Sequence, residues 1–173
     1  MQKLIKTKHN IEILVQSKAW TQNLRNYKSL VHDVINTSLY FIDPAMTLAE
    51  ISVVLADNDF IHQLNRQYRS QDKPTNVLSF PASGPGQVPH SPEQPYLLGD
   101  IILAFETISQ EAAQQQKTLR DHTAHLIVHG VLHLLGYDHE TIEEAEEMET
   151  REIAILARFD ISNPYDDRIE SAK

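Results

Sequence analysis

Between Leu119 and Leu135 the chain reads as one helix that is apolar almost all the way round, with Leu126, Ile127, Val128, Val131, Leu132, Leu134 and Leu135 leaving no wide polar stripe for solvent. Such a helix persists only when other elements cover it, so the fold has to be built around this segment. Gly136 ends it, because glycine accepts the left-handed backbone that turns a chain out of a helix. Within the apolar run sit His129 and His133, one turn apart and therefore on the same face, and His139 follows just after the glycine.

Two imidazoles in that relation can reach a single ion, and the turn at Gly136 lets His139 offer a third nitrogen from another direction. Three His ligands leave one tetrahedral position open, which a catalytic zinc needs and a structural zinc does not. The competing reading is a set of satisfied core histidines. Three imidazoles on one side of a buried helix, however, need a common partner. His122 and His125 continue the same stripe toward the helix start and are rival ligands. His122 is expected to be solvated there and His125 to support a ligand from behind. Nickel, copper and cobalt suit three imidazoles as well as zinc does.

With no cysteine in 173 residues, thiolate zinc fingers, iron–sulfur clusters and disulfide scaffolds are excluded, so any metal rests on His and carboxylates. Hydrophobic residues at 41% and charged residues at 23% are globular composition at one-domain length. The net charge of -9 argues against a general nucleic-acid binder, but it is local: Asp138 to Glu152 holds eight acids and one base. Residues 1–137 are nearly balanced, so a locally basic surface elsewhere is allowed. No stretch approaches a membrane span, and the Lys-bearing start, with only the short run Ile11–Val15, lacks a signal-peptide core; the cytoplasm is the expected compartment.

The remaining pattern predicts strands over Ile11–Val15, Leu48–Ala56, Val77–Phe80 and Leu97–Phe105. Helices are expected from about Thr21 to Tyr40, after an Asp57 cap through Tyr68, over Glu106–Lys117, over Leu119–Leu135, and over Thr141–Phe159 with Thr141 and Glu144 in capping-box spacing. In the last of these, Glu143, Glu144, Glu146 and Glu147 face water while Ala145, Met148, Ile155 and Leu156 pack inward. Pro81–Tyr96 holds five of the eight prolines and reads as a long loop. The class is α+β: a single domain over 1–173, with a mixed four-stranded sheet packed with about five helices, a flexible loop over about 81–97 and a C-terminal tail over about 160–173.

Zinc proteases share this His spacing but place a Glu directly after the first His as general base, and here that position is Gly130. The geometry points to hydrolysis and the missing carboxylate points away from peptide bonds. The stretch His129-Gly-Val-Leu-His133-Leu-Leu-Gly136-Tyr-Asp-His139 resembles the signature of the YbeY family, bacterial zinc endoribonucleases of ribosomal RNA maturation. Asn65 to Pro81, with Tyr68-Arg69 and Pro74-Thr75-Asn76-Val-Leu-Ser79-Phe80, resembles that family's second motif, and Leu98-Gly99-Asp100-Ile101 its strand before the active-site helices.

That resemblance, which covers about Ile51 to Ala157, implies a fold related to metalloprotease catalytic domains, one Zn2+ on His129, His133 and His139, and a functional arginine at Arg69. It also implies a zinc-dependent, single-strand-specific endoribonuclease acting in 16S rRNA 3′ end maturation and ribosome quality control. The partners would be single-stranded RNA and the small ribosomal subunit with its precursor rRNA, without DNA or membrane. The alternative is a metal-stabilised ribosome-assembly factor acting mainly by binding, and a peptidase is a third reading. Asn76 departs from the Asp expected there. A guanidinium at Arg69 suits a phosphodiester, against the plainer reading of an ion pair with Asp72. Arg66, Lys73, Lys117 and Arg120 are candidate backbone contacts, His125 is a candidate RNA contact, and Asp138 is a candidate for orienting a ligand or water.

Overall fold

A computed structural model of the chain describes residues 9–83 and 94–166. In chain order the elements are β1 (Asn10–Val15), α1 (Lys18–Asn23), α2 (Tyr27–Ile42), β2 (Ala49–Ala56), α3 (Asn58–Arg69), β3 (Val77–Pro81), β4 (Tyr96–Ala104), α4 (Phe105–Gln114), α5 (Leu119–Leu134) and α6 (Ile142–Ala157). The strands form one mixed sheet in the order β1-β2-β4-β3, parallel except for the edge strand β3. The expected α+β single domain with a four-stranded sheet is therefore present. It has six described helices rather than about five.

The extra helix comes from a break in the one expected over about 21–40. Trp20 is fully buried, its Nε1 donates to the Ala56 carbonyl at 2.9 Å, and its ring meets Phe105 edge-on at 5.3 Å. This anchor ties α1 to the end of β2. The stripe Leu30, Val31, Val34, Ile35 and Leu39 packs into the core beside α5 instead, so α2 starts afresh at Tyr27. Periodicity of apolar residues carries no record of an anchor made to a distant strand.

α5 lies at the centre, against β3, β4, α2, α4 and α6. Its Ile127, Val128, Val131 and Leu132 join Val53, Leu55, Ile101 and Leu103 of the sheet, Val34, Ile35 and Leu39 of α2 and Met148, Ile155 and Leu156 of α6 in one core. Each such side chain contributes roughly 1.5–3 kcal/mol by leaving water. Gly130 permits the close seating of α5: a Cβ there would stand 3.0–3.2 Å from the side chain of Ile101 on β4. The opposite face of the sheet is covered by α3, where Ile61 and Leu64 pack on Leu78, Phe80 and Ile102. Asp57 caps α3 as expected, accepting from the Phe60 N–H at 2.9 Å.

The capping box on α6 forms between Thr141 and Glu144 in both directions. After α6 the chain turns through Asp160 at φ 57, the Ile161 N–H bonds the Leu156 carbonyl at 3.2 Å, and residues 161–166 fold back beside α5 and α6. Most of the Pro-rich loop lies outside the described residues, and its two ends, Pro81 and Tyr96, belong to β3 and β4. Among the described residues no helix is long and apolar enough to cross a membrane.

Candidate metal centre

α5 presents His129 and His133 side by side, with their Nε2 atoms 3.0 Å apart. The helix ends in paired bonds from the Gly136 N–H to the His133 carbonyl and from the Tyr137 N–H to the Leu132 carbonyl, both 3.0 Å, around Gly136 at φ 97. This is the six-to-one and five-to-two closure that a left-handed glycine allows. The turn aims the Tyr137 carbonyl back at Nδ1 of His133, 3.0 Å away. It also carries His139 to the others, with ring centroids 5.0 Å from His133 and 5.6 Å from His129. One nitrogen from each of the three histidines lies within 4.8 Å of the others. Asp138 steadies this turn by accepting from the His139 N–H at 2.8 Å.

Hydrogen bonding sets the tautomers. A carbonyl only accepts, so Nδ1 of His133 carries the proton. Nδ1 of His129 donates to Oε1 of Glu152 at 2.6 Å. Both Nε2 atoms therefore present lone pairs to one another. Burial, followed by the neighbouring His129 and His139, lowers His133 to about 4, so the His133 ring is neutral at neutral pH. Two ring nitrogens at 3.0 Å, with a third close by, form a donor set that could hold a metal ion.

Glu152, on the inward face of α6, has no solvent exposure. Burial alone pushes its carboxyl up, but hydrogen bonds from His125 and His129, and their charge, outweigh this and hold it at about 2. The Tyr165 hydroxyl, from the segment that folds back, donates to Oε2. Sequence reasoning counted Glu152 only as part of the acidic run. Its position four residues from both Met148 and Leu156, on their buried stripe, was the available signal. Tyr165 had no signal, because only the return of the chain places it here.

The rival ligands have other roles. His125 Nε2 lies 3.2 Å from the Tyr165 hydroxyl oxygen and 3.5 Å from Glu152, behind His129. His122 is not solvated but 3% exposed, covered by α4, with Nε2 2.7 Å from Glu111. Burial pushes its pKa down against the opposing pull of Glu111. Glu111 also receives the Asn76 amide at 3.1 and 3.0 Å. An Asp at position 76 would set two carboxylates against each other there, so Asn76 matches its surroundings.

The three histidines line an open cleft of about 670 Å³, with Ser79, Pro81, Tyr96 and Tyr137 among its walls and Arg69 at its border. Arg69, the last residue of α3, donates to the Ser79 carbonyl at 3.0 Å and lies over the Phe80 ring at 5.0 Å. It makes no pair with Asp72, which instead meets His62 at 2.8 Å. Lys117 reaches the Pro164 carbonyl at 3.5 Å and Arg120 pairs with Asp121 at 2.8 Å, and neither borders the cleft. Glu143, Glu144, Glu146 and Glu147 are exposed on α6, as the pattern required.

Residues 12–160 match the family model described as Endoribonuclease YbeY. Curated relatives named Endoribonuclease YbeY include one from Paramagnetospirillum magneticum, 46% identical over 155 residues that cover 90% of this chain and 94% of the relative. One from Acinetobacter baumannii is 46% identical over 90% of this chain and 98% of its own length, and one from Magnetococcus marinus is 51% identical over 70% and 86%. The fold is shared with the solution structure of TM1509 from Thermotoga maritima, at TM-score 0.52 and 24% identity over 90% of this chain and 95% of that one. A family match over so much of the chain, with relatives near half identical along most of their length, settles membership: this chain belongs to the endoribonuclease YbeY family.

Proposed function

We propose that the protein is a zinc-dependent endoribonuclease that cuts single-stranded RNA, with His129, His133 and His139 as ligands and Arg69 as the phosphate-binding group. The observation that carries this reading is the convergence of three histidine nitrogens in a cleft that Arg69 also borders. Bound there, the metal would supply Lewis-acid chemistry at a phosphodiester.

The chain's own residues do the positioning. Glu152 and the Tyr137 carbonyl hold His129 and His133 in the tautomer that directs Nε2 into the cleft. The Ser79 carbonyl and the Phe80 ring fix the Arg69 guanidinium while leaving further N–H donors for two phosphate oxygens, where it offsets charge developing on the phosphoryl group. Gly130 offers no carboxylate where a peptidase of this spacing would carry its base, which favours a phosphodiester over a peptide. The family name supports RNA as substrate. The maturing 3′ end of 16S rRNA in the small subunit, a part in ribosome quality control, and a cytoplasmic address complete the proposal.

The test is to measure metal content and RNA cleavage together on untagged protein, for wild type, His129→Ala and Arg69→Ala. One zinc per chain that is lost with His129, and single-strand cleavage lost with either change, is the expected result. Bound zinc without cleavage by the wild type would replace this reading with an assembly factor that acts by binding.

A further inference from the structure

The inward stripe of α3 runs Ile61, Leu64 and then Tyr68, but the sheet beneath it ends at the edge strand β3. Ile61 is fully buried on the sheet, whereas Tyr68 overhangs the edge and is 56% exposed. Its ring is held edge-on by Phe80 at 5.5 Å and 66°. An exposed aromatic gripped by one edge has its direction set while a face stays open to a ligand, so little side-chain entropy remains to be lost on binding.

Phe80 connects this ring to the cleft, because it also lies under the Arg69 guanidinium, which is tied to the Ser79 carbonyl of β3. Arg69, Ser79 and Pro81 all border the metal cleft. Arg66 on α3 and Lys73 in the segment after it are exposed and in no ion pair among the described residues, while the acid Asp72 meets His62. Most of the chain's acidic run lies on α6, and only Asp138 and Glu140 of it line the cleft, across from Arg69. A polyanion is therefore drawn to the α3 and β3 side.

We infer that Tyr68, supported by Phe80, is a stacking subsite for an unpaired nucleobase of the RNA strand whose phosphate lies at Arg69. The inference rests on the endoribonuclease reading above and names what selects single strands within it. Bases in a duplex have both faces occupied by neighbours, whereas an unpaired base can leave its stack and lie on an aromatic ring. Metal and Arg69 would recognise backbone, and a base stacked on Tyr68 would add a contact that only an unpaired strand can make.

The experiment titrates the metal-loaded full chain into a single-stranded RNA carrying 2-aminopurine and follows both its fluorescence and its cleavage, for wild type, Tyr68→Ala and Tyr68→Phe. Melting curves check that each variant is folded. The expected result is quenching by wild type and Tyr68→Phe, and about ten-fold weaker binding with loss of quenching in Tyr68→Ala. The KM for cleavage should rise by a similar factor while kcat changes little. Wild-type affinity and quenching in Tyr68→Ala would overturn the subsite and leave the nuclease reading standing. Failure of wild type to bind or cut any single-stranded RNA would overturn both.

Discussion

Oε1 of Glu152 lies 2.6 Å from Nδ1 of His129, and the carboxylate making that contact has no exposure to solvent. An ionised group is buried only at a cost of several kcal/mol unless donors and nearby positive charge offset it. Here the donors are His129 and Tyr165, and a dication on the far side of the imidazole would complete the compensation. The arrangement makes Glu152 the support behind His129, on the side of the ring away from the cleft.

Glu152→Gln keeps the shape and removes the charge. Metal affinity, measured by competition with a chelator, should fall about 10- to 100-fold. An unchanged affinity would mean that Glu152 serves only to pack α6 on α5.

Arg69→Lys should cost nearly as much activity as Arg69→Ala. A lysine keeps the charge but lacks the planar fork needed to hold the Ser79 carbonyl and two phosphate oxygens together. A loss on the order of 10²–10³ in kcat/KM, with metal content unchanged, is expected in steady-state cleavage assays. Full activity in the lysine variant would show that charge alone suffices.

Gly130→Glu recreates the protease pattern in sequence but not in space. The new side chain would be driven against Ile101, which is fully buried and has little room to withdraw. Denaturant unfolding should show a loss of about 1–3 kcal/mol, and peptide substrates should stay intact. Metal-dependent peptide cleavage by this variant would reverse the reading of position 130.

Acid should destabilise the metal-free protein in two successive windows. His133 is lowered from 6.5 to about 4, so between those values the unfolded chain binds more protons and stability falls as pH falls. His9, whose Nδ1 accepts from the Ala49 N–H at 3.0 Å, is also lowered by burial and adds in the same direction. Glu152 at about 2 contributes stability that is complete above its unfolded value of 4.5 and is lost as pH drops toward 2. Thermal melts from pH 8 to 3 should show Tm declining throughout the acid range, and Glu152→Gln should flatten the lower window. A Tm that rises on acidification to pH 5 would contradict these assignments.

The central helix, its glycine stop and the three histidines were all legible in the linear sequence, because each depends on backbone geometry within one or two turns. The strands and the Thr141–Glu144 capping box were readable for the same reason. What only the tertiary structure decided were contacts between residues far apart in the chain. Trp20 reaching Ala56 splits one expected helix into two, and α4 covering α5 buries a histidine expected in solvent. Arg69 turns to Ser79 and Phe80 instead of Asp72, and Glu152 with Tyr165 closes behind His129. Local periodicity states which face of an element is buried, but the partner that face meets depends on how the elements pack. The three histidines that converge could therefore be named from spacing, whereas the groups that hold them in place could not.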